Sequence, residues 1–170
     1  MTGNELVLAA GLDLIMGDPR WLPHPVRAMG QVIAWCDDHV REICRSPIAL
    51  RLAGVILALG LPTVVYLLVR WMVVEAGAVA EWFGLVVMIG LASSTLAGRD
   101  LWDHVQAVKK PLQRGDIVGA RQAVAMIVGR DTQELSESEV VRATVETVAE
   151  STADGVIAPL FYLMLGGPPL

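Results

Sequence analysis

Two apolar runs without a single charge, residues 52–69 and 82–98, limit what this chain can fold into more than anything else in it. The first has 18 residues and as an α-helix would be about 27 Å long, against a hydrocarbon core of roughly 30 Å. A helix satisfies its own backbone polar groups, so such a run can cross a bilayer where a loop cannot. Gly54, Gly60 and Pro62 fall within it, and membrane helices tolerate these residues better than soluble ones do. Trp71 and Trp82 stand where an interfacial aromatic belt would lie, and the stretch between the runs, with Arg70, Glu75 and Glu81, reads as a tight hairpin end. A buried helix pair in a soluble bundle is the blander alternative, but neither run has the polar face of a soluble helix. Composition agrees. Hydrophobic residues reach 54% before any of the 16 Gly are counted, whereas soluble domains reach roughly 45–50% with Gly included.

Two further apolar segments are shorter. Residues 5–16 carry Asp13, and a charge at mid-bilayer costs at least about 2.5 kcal/mol. This segment is therefore expected to be a tilted or shallow span with Asp13 near its inner end, or a re-entrant piece. Residues 155–165 would cover only about 16 Å before Gly166-Gly167-Pro168-Pro169 interrupts them. They read as a re-entrant piece or the start of a span, with more membrane helices expected to follow. No Lys or Arg precedes Arg20, so the basic n-region of a secretory signal peptide is missing and the leading run is expected to remain. Cys36 and Cys44 have no CxxC or Cys/His ligand spacing and read as idle thiols.

Charge placement gives an orientation. Of 13 Lys and Arg, five lie between Arg20 and Arg51, seven between Arg99 and Arg142, and Arg70 is alone. By the positive-inside rule, segments 17–47 and 99–154 are then cytoplasmic and share one face of the membrane. The chain reads as all-α: one membrane domain over 1–170, polytopic, with cytoplasmic amphipathic helices. Residues 101–113 and 116–128 are two such helices, with Gly129 as C-terminal cap of the second. Ser136 and Glu139 form a capping box for a third that runs to about Glu150. The net charge of −5 gives no general attraction to nucleic acid, which is excluded as a partner.

Three groups of residues could carry chemistry. Glu146, Glu150 and Asp154 are spaced by four and would share a helix face. Like charges at that spacing destabilise a bare helix, so a Mg²⁺, a substrate amine or an arginine should compensate, Arg142 being the nearest. Their uncharged surroundings at the edge of an apolar run favour a specific role over a solvated face. The second group, Gly17-Asp18-Pro19-Arg20 and Pro23-His24-Pro25-Val26-Arg27, is stiffened by proline. It could hold Asp18, His24 and Arg27 for an anionic ligand, or be a plain interfacial loop. In the third, Gly129-Arg130-Asp131-Thr132, Arg130 could grip phosphate and Asp131 a metal, or the two could simply pair at a helix end. His39 and His104 read as solvated surface histidines. No common phosphate-binding loop and no GxSxG are present.

Taken in order, Leu12-Asp13-Leu14-Ile15-Met16-Gly17-Asp18-Pro19, Pro23-His24-Pro25-Val26-Arg27, Gly129-Arg130-Asp131-Thr132 and the run from Val145-Glu146-Thr147 through Glu150-Ser151-Thr152-Ala153-Asp154-Gly155 to Pro159-Leu160-Phe161 resemble one family. It is the cobalamin-biosynthesis membrane family called CbiB or CobD, adenosylcobinamide-phosphate synthase, and the likeness corresponds to its N-terminal portion. Ser151 stands where the family usually has Asn, and Ala153 where Ser is common. The family's later spans and its Asn-Thr-Leu-Asp-like motif have no counterpart here.

The resemblance implies ATP-dependent ligation, with Mg²⁺, of (R)-1-aminopropan-2-ol phosphate to adenosylcobyric acid, giving adenosylcobinamide phosphate. It places the protein in the bacterial inner membrane with its active face cytoplasmic, beside other corrinoid-pathway membrane enzymes. Glu146, Glu150 and Asp154 would then be catalytic, Glu150 and Asp154 also holding Mg²⁺. Asp18, His24, Arg27, Arg130 and Asp131 would bind substrate. A non-catalytic membrane scaffold of the same superfamily is the alternative. A transporter fits less well, because the acids lie at span ends and not at the midplane. The orientation is open to direct test: a topology reporter fused near Glu75 should report the periplasm, and a cytoplasmic signal there would overturn it.

Overall fold

The structure, a computed structural model, describes residues 1–17, 25–44 and 46–168, and these are helical with no strand among them. Helix α1 spans Gly3–Met16, α2 Pro25–Ile43, α3 Pro47–Val79 and α4 Glu81–Ser93. After a turn come α5 Gly98–Gln113, α6 Ile117–Ala125 and α7 Glu137–Thr152. A five-residue π-turn, Ala153–Ile157, joins α7 to α8, Ala158–Gly166. Three stretches are long and apolar enough to cross a membrane: Pro47–Val79, Glu81–Gln113 and Glu137–Gly166. In the most apolar 18-residue window of the first, no residue is buried within this chain. The second stretch is broken by the turn after α4 and the third by the π-turn.

The expected hairpin end is much tighter than the sequence suggested. Helix α3 continues through Arg70 and Glu75, and only Ala80, in an extended conformation, separates it from α4. Charges there mark where the apolar surface ends, which is not where the backbone must leave the helix. At 33 residues α3 is about 50 Å long, well beyond the hydrocarbon thickness. Glycine permits the sharp reversal: a Cβ on Gly84 would lie 2.8 Å from Gly77 Cα, so the two legs meet backbone to backbone.

Asp13 is buried, with 6% of its surface exposed. The sequence offered tilting or a re-entrant path to accommodate its charge, but the structure adds a partner. Asp13 Oδ2 accepts hydrogen bonds from the backbone N–H of Gly98 at 2.9 Å and of Arg99 at 3.4 Å, the first amides of α5. A carboxylate at a helix N-terminus satisfies otherwise orphaned donors and complements the helix dipole. Arg99 returns the contact, its Nη1 donating to the Leu14 carbonyl at 3.1 Å. The approach is close enough that a Cβ on Gly98 would stand 2.9 Å from Asp13 Oδ2.

Two small cores result. Ala9, Ala92, Leu96 and Leu163 join α1, the α4 end and α8. Val108, Ala120, Val124, Val140 and Ala143 join α5, α6 and α7. In this second core α6 ends at Ala125, earlier than expected, and Gly129 does not cap it; among the described residues only Gly17, Gly115 and Gly167 have positive φ. The reason is tertiary: the segment after Ala125 leaves the helix to bring Ile127 and Val128 against the core. The Ser136–Glu139 capping box is present, with the Glu139 carboxylate on the Ser136 N–H at 2.8 Å.

Asp13→Ala would leave the first α5 amides without their acceptor and should destabilise the protein by about 1–2 kcal/mol, with Asp13→Asn intermediate, read as a lowered midpoint of unfolding in detergent. Gly84→Val should cost about 1–3 kcal/mol through its clash with α3. Gly60→Ala, where an added Cβ meets nothing within 4 Å, should leave the same midpoint unchanged.

Candidate functional site: an acidic cavity between α5 and α7

The site is built where the two cores meet. Pro159 has no amide hydrogen to offer the carbonyl of Gly155, four residues before it, and its ring crowds that carbonyl. The backbone widens into the π-turn, and the Gly155 carbonyl accepts instead from the Ala97 N–H at 2.9 Å. Such π-bulges often accompany functional sites. The turn before α5 is thus tied to the π-turn at one point and, through Asp13, to α1 at another. A Cβ on Gly155 would lie 3.2 Å from that of Ala97, tighter than most real contacts.

Beside this junction lies an open cavity of about 520 Å³, within the usual range for small-molecule sites. Asp100 and His104 of α5 line one side, Glu150 and Asp154 the other, with Met126 and Ile127 between. His104 Nδ1 is 2.8 Å from the Asp100 carbonyl and 3.2 Å from Asp100 Oδ2. Both neighbours only accept, so Nδ1 carries the proton and, in the neutral ring, Nε2 keeps a free lone pair. Among the described residues no three His, Cys, Asp or Glu side chains group closely enough to hold a metal by themselves.

The residues singled out in the sequence fall in different places. Glu150 and Asp154 share the cavity, and Asp154 also borders a smaller one of about 300 Å³ with Thr95 and Tyr162. Glu146 does not line it. Its carboxylate pairs with Arg142 at 3.2 Å and lies 3.7 Å from Arg130. A step of four residues drifts by about 40° around an α-helix, so two steps and a π-turn separate Glu146 from Asp154 in direction. Arg130 and Asp131 line a second cavity of about 540 Å³ with Arg121. Their loop is locked from within. The Thr132 hydroxyl donates to the Arg121 carbonyl at 3.0 Å, Arg121 Nε to the Leu135 carbonyl at 2.8 Å, and Asp131 Oδ1 accepts from the Gln133 N–H at 3.0 Å. Arg27 lies exposed in the first turn of α2 and lines neither cavity. Asp18 and His24 lie outside the described residues.

Sequence reasoning missed Asp100 and His104. His104 is not a plain surface histidine: it faces the cavity with its Nδ1 held by Asp100. The one available signal was the Asp–His spacing of four just past an uncharged run, and that spacing recurs on ordinary solvated helices.

Comparison with known proteins follows the same outline. Residues 6–170 match the family model described as CobD/Cbib protein. Cobalamin biosynthesis protein CobD of Klebsiella pneumoniae subsp. pneumoniae is 43% identical over 159 residues, covering 94% of this chain and 50% of the relative. The CobD of Citrobacter koseri is 43% identical over 170 residues, covering 100% and 53%. Cobalamin biosynthesis protein CbiB of Salmonella typhi is 42% identical over 175 residues, with the same coverage of 100% and 53%. The chain therefore spans about half the length of the curated relatives it matches. No solved structure matches it. Matched along nearly its whole length by the family model and by these relatives, the chain belongs to the CobD/CbiB family.

Proposed function

We propose that this chain is the N-terminal portion of a cobalamin-biosynthesis enzyme, an adenosylcobinamide-phosphate synthase of the bacterial inner membrane. In this reading it joins (R)-1-aminopropan-2-ol phosphate to adenosylcobyric acid at the expense of ATP, on the cytoplasmic face. The relatives' names supply the pathway. The observation that carries the chemistry is the pairing of Glu150 and Asp154 across one cavity from Asp100 and His104, at the edge of the apolar layer. Twelve of the 13 Lys and Arg flank the α3–α4 hairpin on its other side from Glu75, which supports the cytoplasmic face.

A carboxylate forms an amide only after its oxygen becomes a leaving group. Attack of the substrate carboxylate on the γ-phosphorus of ATP gives an acyl phosphate and releases ADP. Attack of the amine on the acyl carbon then expels phosphate and gives up one proton. Glu150 and Asp154 would hold the amine in its cationic resting form and keep it beside the acyl carbon. Magnesium, where the reaction takes it, neutralises phosphate charge. Two carboxylates suit such an ion when it arrives with substrate phosphates, and do not make a cage for it alone. Arg130 would hold phosphate on the second cavity, Glu146 positioning it together with Arg142. Asp18, His24 and Arg27 would position the second substrate. Other corrinoid-pathway membrane enzymes are the proposed neighbours.

Glu150→Gln in the full-length protein should lower ATP-dependent amide formation by at least about a hundredfold and abolish rescue of a strain lacking the gene. Unaltered turnover would remove Glu150 from the site.

A further inference from the structure

We infer that His104, held by Asp100, is the base that takes the proton from the attacking amine; this rests on the ligase reading above. Four observations converge on it. His104 lines the same cavity as Glu150 and Asp154, from the opposite helix. Its Nδ1 is engaged twice by Asp100, through the carbonyl at 2.8 Å and the carboxylate at 3.2 Å. That arrangement leaves Nε2 as the ring's lone-pair nitrogen and puts a carboxylate where it stabilises the imidazolium that would form. The helix carrying the pair is fixed at its start by Asp13 and by Gly155 through Ala97, so the imidazole is presented from a rigid element, as catalysis requires.

The charged groups facing His104 divide the work. Asp100 lies on its own helix, Glu150 and Asp154 come from α7 and the π-turn, and the residues after α6 at this place, Met126 and Ile127, are uncharged. Of the cations of α5 nearest His104 in sequence, Arg99 is paired with Asp103 at 3.1 Å, and neither Arg99 nor Lys109 lines the cavity. Acids suit the binding of an ammonium group. Imidazole, with its lone pair on Nε2, suits removal of the proton that masks the lone pair of the amine. In that step the ammonium held by Glu150 and Asp154 gives one proton to Nε2 of His104, which passes it to solvent. The freed lone pair then forms the bond to the acyl carbon, the acyl C–O bond breaks with its electron pair leaving on phosphate, and the second N–H proton leaves with the phosphate. Asp100 is a positioning residue, acting through His104.

The test uses full-length protein with ATP, adenosylcobyric acid and aminopropanol phosphate. His104→Ala should lower kcat about a hundredfold or more, leave KM for the amine within about twofold, and regain activity when imidazole is added. Trapping with hydroxylamine separates the two steps: His104→Ala should still give the hydroxamate of the activated acid at the wild-type rate, because activation needs no amine base. Hydroxamate formation also reports that the variant is folded, and His104→Asn should repeat the pattern. Asp100→Asn should lower kcat by a smaller factor, and His39→Ala, on α2 with its Nδ1 on the Trp35 carbonyl, should behave as wild type. Full kcat in His104→Ala, or loss of hydroxamate together with amide in both variants, overturns the inference. Wild-type protein that yields neither product removes the ligase reading itself, and the inference with it.

Discussion

The hydrogen bonds from the start of α5 to the carboxylate of Asp13 hold the rest of this structure in place. A charged side chain within an apolar helix is tolerated only when something in the protein replaces water around it. Here the replacement is the positive end of another helix. The same contact fixes where α5 leaves the apolar layer, and therefore where the three-helix unit of α5, α6 and α7 stands. Arg99 and the two glycines at positions 17 and 98 show how closely the parts meet: Gly17 has φ +57, and an added Cβ there would lie 2.7 Å from Arg99 Cγ. The Gly–Asp pair that begins the proline-rich motif thus has a structural reason for its glycine, independent of any ligand.

A second constraint lies across the cavity. Pro159 interrupts the helix that would otherwise run from α7 into α8, and the π-turn absorbs the interruption without a loop. Its freed carbonyl binds the same turn that Asp13 steadies from the other side. Two helix irregularities, each costly alone, thus satisfy one another at the boundary between an apolar and a polar core. The cavity opens at that boundary. Apolar burial stabilises each core, while Asp100, Glu150 and Asp154 between them stay exposed and available to a ligand.

The motifs that mark the family do not all serve one pocket. Glu150 and Asp154 line the acidic cavity, whereas Arg130 and Asp131 line another and are bound into the turn that follows α6. Thr132, buried and bonded to Arg121, gives the Gly129-Arg130-Asp131-Thr132 motif a folding role beside any binding one. Glu146 links the two regions by pairing with Arg142 and approaching Arg130. Spacing by four grouped three acids in the sequence; the drift of the helix and the π-turn divided them.

Helical class, the apolar runs of α3 and α4, and the Ser136 capping box were legible because they depend on composition and on contacts within a few residues. A run of 18 uncharged residues needs no tertiary information to be recognised as a span candidate, and a Ser–Glu pair three apart finds its amides wherever the helix lies. The end of α3 was misjudged because charges report the limit of apolar surface, while the helix ends where Gly77 and Gly84 let the legs meet. The partner of Asp13 lies 85 residues away, and that of the Gly155 carbonyl is Ala97 in the turn before α5; no local pattern encodes such distances. The sequence by itself determined that the chain is helical, where its apolar runs lie and which acids stand near the apolar edge. Only the tertiary structure decided which acids share a cavity and that His104 faces them, because hydrogen bonds between distant helices, and not periodicity, orient α5 against α7.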